Sequence, residues 1–144
     1  MTEFTSRVTE RIRPVARINP ASYSSEQNTA RVKASLYQRF LVELHVGSIA
    51  SGRTVDMDIE QHSVATGGTP KAITGKSITQ LTDADSDKIV CVEVRAEELD
   101  LAGGYYWISA EVTPTTGVIL ACKIWAADPT YRPIGTDEWD EVVD

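Results

Sequence analysis

Metal ligands and soft nucleophiles are scarce in this chain: two cysteines, two histidines and two methionines among 144 residues. Cys91 and Cys122 are far apart, each inside an apolar run, so the expected state is a pair of buried, reduced thiols. His45 and His62 are the only imidazoles, and there is no Cys-x-x-Cys or His-x-x-x-His spacing. No structural zinc, other metal or cofactor site is therefore expected. Also missing is any run near the ~18 uninterrupted apolar residues of a bilayer span, so no membrane crossing is expected. Met1-Thr2-Glu3-Phe4 lacks the basic start and apolar block of a secretory signal, and none is expected.

What is present suits an ordinary globular protein, with 42% hydrophobic and 24% charged residues. A chain of this size should bury roughly 68% of the surface exposed by its unfolded state, enough for a core without disulfides. The net charge of -7 is unevenly distributed. Residues 1–39 hold seven basic side chains against three acidic ones, while the remainder holds seven against eighteen. An acidic body repels phosphates, which disfavours nucleic acid as a partner. Arg7, Arg11, Arg13 and Arg17 instead suggest a basic segment that meets an acidic partner surface.

Period-two alternation dominates the body, and it is the spacing of a strand with one buried face. Phe40, Val42, Leu44 and Val46 share one side of a predicted strand. Val55, Met57 and Ile59 oppose Asp56, Asp58 and Glu60, and Val90, Val92 and Val94 align over 89–95. Tyr106, Ile108, Ala110 and Val112 form a fourth inward row; Val118, Leu120, Cys122 and Ile124 form a fifth. Turn residues separate these runs, predicting an all-β fold: an antiparallel β-sandwich or jelly roll over 31–133. Short helical turns are expected at 78–81 and near 96–99. Pro14 and Pro20 each remove a backbone donor, so residues 1–30 read as an extended N-terminal arm. Val15–Ile18 alternates weakly enough to add an edge strand. Removal of that arm is expected to leave the sandwich folded. Residues 134–144 read as an acidic C-terminal tail.

Motifs with chemistry fail on inspection. The stretch Gly67–Ser77 ends in Gly-Lys-Ser, but Pro70 occupies the position where a P-loop needs its first glycine. Asp83-Ala84-Asp85-Ser86-Asp87 opens like a calcium loop, yet Lys88 and Val94 stand where Gly and Glu are required. Asp56, Asp58, Glu60 and Glu93 face away from apolar neighbours and read as solvated. No catalytic residues are assigned, and a non-enzymatic role is expected. Large aromatics remain: Tyr105, Trp107 and Trp125 on outward strand positions, and Trp139 in the tail. These mark an oligomer or partner interface, a sugar-stacking platform, or a surface covered by the protein's own arm or loops.

Three segments together carry a resemblance. They are Tyr37–Gly47 with Thr54–Gln61; Lys71–Leu81; and Glu97–Asp100 through Tyr105-Tyr106-Trp107-Ile108 to Asp128-Pro129, Tyr131 and Pro133. In texture, over roughly residues 35–133, the chain resembles small virion structural proteins of tailed bacteriophages. That resemblance implies a β-sandwich on the capsid exterior, often a trimer, which clamps neighbouring copies of the major capsid protein. It carries no catalytic residues. It leaves open a head fibre or glycan-binding module and a head–tail connector component.

Overall fold

Each period-two run becomes a strand because only extended backbone puts all its apolar side chains on one side. The computed structural model describes residues 7–130 and 139–143. In chain order the strands are β1 (Ile12–Tyr23), β2 (Gln27–Asn28), β3 (Val32–Lys33), β4 (Tyr37–Val46) and β5 (Val55–His62). They continue with β6 (Lys71–Ser77), β7 (Ile89–Arg95), β8 (Trp107–Pro114) and β9 (Val118–Pro129). One antiparallel sheet has the order β1-β9-β4-β7; the other runs β2-β8-β5-β6, with β3 also pairing β8. The protein is thus an all-β sandwich.

Its core is the predicted set of inward rows. Phe40, Val42, Leu44 and Val46 from β4 meet Val55, Met57 and Ile59 from β5, all fully buried. Ile108, Ala110 and Val112 of β8 and Leu120, Cys122 and Ile124 of β9 complete the layer. Burying each of the larger side chains contributes roughly 1.5–3 kcal/mol before ordering costs. Two inward rows are shorter than expected. Tyr106 precedes β8 and is exposed, and Val90 and Val92 are only half-buried because β7 closes one edge of its sheet.

The main correction concerns the expected arm of residues 1–30, whose described part, residues 7–30, contains strands of the sandwich; residues 1–6 lie outside the described residues. Ile12–Tyr23 pairs with β9 along its length, and Ala16 and Ile18 join the core. The prolines mislead because they sit where an edge strand tolerates them. Register shifts fall between Pro14 and Ala16 and between Ile18 and Ala21, so both rings lie at or beside bulges. β2 and β3 then carry the chain onto the second sheet, so a boundary at residue 30 cuts through the sandwich.

Other segments resolve differently from expectation. The Gly-Lys-Ser stretch is edge strand β6, broken by a register shift that contains Gly75 at φ +78°. Turns of 3₁₀ helix occur at Val8–Glu10, Ala34–Leu36, Asp83–Asp85 and Ala96–Glu98, but the expected one at 78–81 is absent. There Leu81 forms a bridge to Val55 instead. The Asp83–Asp87 turn satisfies itself: Asp85 accepts from the Thr82 amide at 2.9 Å and pairs with Lys88 at 2.6 Å. Among the described residues no helix is long and apolar enough to cross a membrane.

Candidate surface for partner binding

Strand pairing lays out the outer face of the first sheet in rows. Pro14, Trp125, Leu41 and Glu93 lie side by side across β1, β9, β4 and β7. The next row is Arg17, Lys123, Glu43 and Cys91, followed by Ala121, His45 and Ile89. Leu41, Ile89 and Ile119 on this face are 37%, 61% and 53% exposed. Two hollows adjoin on this face, and Lys123 lines both. One, of about 290 Å³, includes Pro20, His45 and Ile119. The other, of about 230 Å³, lies among Pro14, Arg17, Trp125, Trp139 and Asp140.

Trp125 lines the second hollow. Its indole N–H donates to Glu43 at 3.2 Å, and the Lys123 ammonium stands 5.7 Å from its ring centroid. Trp139 folds back onto it with ring centroids 5.6 Å apart and planes at 51°. Arg17 pairs with Asp140 at 3.4 Å, which ties the end of the chain to β1. The Trp139 indole N–H is buried without a hydrogen-bond acceptor among the described residues. Part of the acidic tail therefore belongs to this surface; residues 134–138 and 144 of the expected tail lie outside the described residues.

The predicted residues are brought together only in part. Of the four arginines, Arg17 alone lies beside Trp125 and Trp139. Arg7 and Arg11 flank the first 3₁₀ turn. Arg13 stands opposite Ala126, an inward position of β9, because the bulge after Pro14 shifts the alternation. Tyr105 and Trp107 do not join Trp125 at all, since β8 is in the other sheet. Lys71 sits 5.0 Å from the Tyr105 centroid and pairs with Asp100 at 2.7 Å; Lys33 sits 5.9 Å from that of Trp107. The four aromatics are thus divided between the two sheets, Trp125 and Trp139 at the first and Tyr105 and Trp107 at the second.

The outer face of the second sheet gathers carboxylates. Asp58 lies opposite Glu111, and Glu60 opposite Ser109. Burial and the neighbouring Glu60 and Glu26 carboxylates push the Glu111 carboxyl up to about 7, and Glu60 shares a hydrogen bond with it. Asp56 accepts from Gln80 at 2.8 Å and Asp58 accepts from Ser77. His62 is 4% exposed, with Nε2 bonded to Ser109 Oγ at 2.7 Å. Burial, and then the Arg31 charge, hold its pKa below the ordinary histidine value. Sequence reading missed this cluster because the residues come from β5 and β8, far apart in the chain. Among the described residues no group of three or more His, Cys, Asp or Glu is arranged to hold a metal ion. No family model matches the chain, and no curated protein matches it in sequence.

Proposed function

We propose that this chain is a capsid decoration (cement) protein of a tailed bacteriophage, bound through the outer face of its first sheet. The phage assignment comes from the sequence resemblance. The observation that favours binding is the face on which Trp125 and Trp139 lie among Arg17, Lys123, Glu43 and Asp140, with exposed Leu41 in the neighbouring strand. Its aromatic and apolar side chains fit apolar insets of a protein surface, Arg17 and Lys123 fit acidic groups around them, and the carboxylates of the second sheet face away from it. The reading supplies a mechanism by contact. Area buried across two capsid subunits raises the work of separating them against the pressure of packaged DNA. About 800 Å² of apolar burial supplies roughly 20 kcal/mol gross, much of it offset by ordering costs.

The test is binding of purified protein to mature capsids assembled without it. We expect saturation at a copy number comparable to that of the major capsid protein. Joint Arg17→Glu and Lys123→Glu substitution should weaken binding at least tenfold, and added salt should weaken the unsubstituted protein. Saturation at six or twelve copies would identify a connector instead, and binding indifferent to the double substitution would remove this face from the reading.

A further inference from the structure

A sandwich has sheet edges, and an edge strand offers unpaired backbone to any other extended chain unless something blunts it. Three edges here are blunted. β1 carries Pro14, Pro20 and two register shifts. β6 is interrupted by the shift containing Gly75, and β2 and β3 are two residues each. β7 has no proline and no register shift, and Lys76 crosses its outer side, pairing with Glu98 at 2.8 Å. Its register with β4 runs unbroken from His45 opposite Ile89 to Arg39 opposite Arg95, and Ile89-Val90-Cys91-Val92 is apolar throughout.

Which backbone groups of β7 are open follows from two hydrogen bonds. Val46 N–H donates to Lys88 O at 3.1 Å, so the even-numbered residues point toward β4. Lys76 Nζ donates to Glu93 O at 2.8 Å from outside the sheet, so the odd-numbered residues point away. Arg95 N–H is capped by Glu98 Oε1 at 2.8 Å. The N–H and C=O groups of Ile89 and Cys91 and the N–H of Glu93 therefore face the open edge.

We infer that β7 pairs antiparallel with β7 of a second copy, about a two-fold axis at Cys91, joining two four-stranded sheets into one. Two features meet under this single operation. Val90 faces Val92 of the second copy and Val92 faces Val90, so the half-buried valines cover one another. Ile89, Cys91 and Glu93 exchange their open backbone groups, with Ile89 N–H replacing Lys76 on the Glu93 carbonyl. A two-fold contact closes after two copies, unlike the trimer that the resemblance implies, and it does not depend on what the outer face binds.

Light scattering on the full chain, with mild oxidation, tests the pairing. We expect a dimer, and a disulfide between the two Cys91 residues, since opposed backbones about 5.5 Å apart lie within disulfide reach. Cys91 is exposed, contrary to the buried thiol expected from its apolar run, whereas Cys122 is buried with its thiol pushed up to about 12, so it does not compete, and Cys122→Ser should still cross-link. Ile89 is 61% exposed, so changing it spares the core. Ile89→Glu, set against Glu93 of the second copy, should weaken the dimer roughly tenfold, whereas Ile89→Lys should maintain or tighten it. A monomer up to the solubility limit would overturn the inference. So would a dimer that neither cross-links through Cys91 nor distinguishes Ile89→Glu from Ile89→Lys.

Discussion

Glu111 stands among Glu60, Glu26 and Asp58, with Arg31 and His62 bordering the same hollow. Its carboxyl binds a proton more tightly folded than unfolded, so its contribution to stability is whole below the ordinary value of 4.5. That contribution is lost as pH rises through about 7. His62 works in the opposite direction: its lowered pKa stabilises the fold above 6.5 and is lost as pH falls. Glu111→Gln removes only the first effect. The variant should become more stable relative to the parent as pH is raised from 5 to 8, by about 1 kcal/mol after allowance for solvent screening. Thermal unfolding of both proteins across that range checks it, and a constant difference would show that the carboxyl is ionised throughout. Nothing in the local sequence marks Glu111, which alternates like any outward strand residue. Only its pairing opposite Asp58 places it in an acidic cluster.

At the scale of elements, β1 shows where local rules mislead. Proline at positions 14 and 20 argues against a strand if every residue must donate to a ladder. An edge strand has a free side, and bulges absorb the missing donors. The consequence is testable: removing residues 1–23 takes away Ala16 and Ile18 and uncovers the flank of β9. We expect the truncated chain to lose cooperative unfolding, by circular dichroism or calorimetry, whatever its effect on binding. Retention of a sharp transition would return β1 to the status of an arm. β7, by contrast, spans the expected residues Ile89–Arg95, because nothing in them conflicts with extended backbone, although its edge position leaves Val90 and Val92 half-buried.

For the whole molecule, β1 and β9 come from opposite ends of the chain, and β4 must wait for β9 to complete its sheet. A fold built from such distant pairings should refold in milliseconds to seconds in a stopped-flow experiment. Microsecond refolding would contradict this topology. The same distances divide what was legible from what was not. Period two in β4, β5, β7, β8 and β9 determined the strands and their inward faces, because alternation is a property of neighbouring residues and needs no partner. Strand order, the bulges that seat Pro14 and Pro20, and the placing of Trp125 and Trp107 on opposite sheets were decided by the tertiary structure alone. Those features depend on which strands meet and in what register, and burial of the shared core selects that pairing over the whole chain at once.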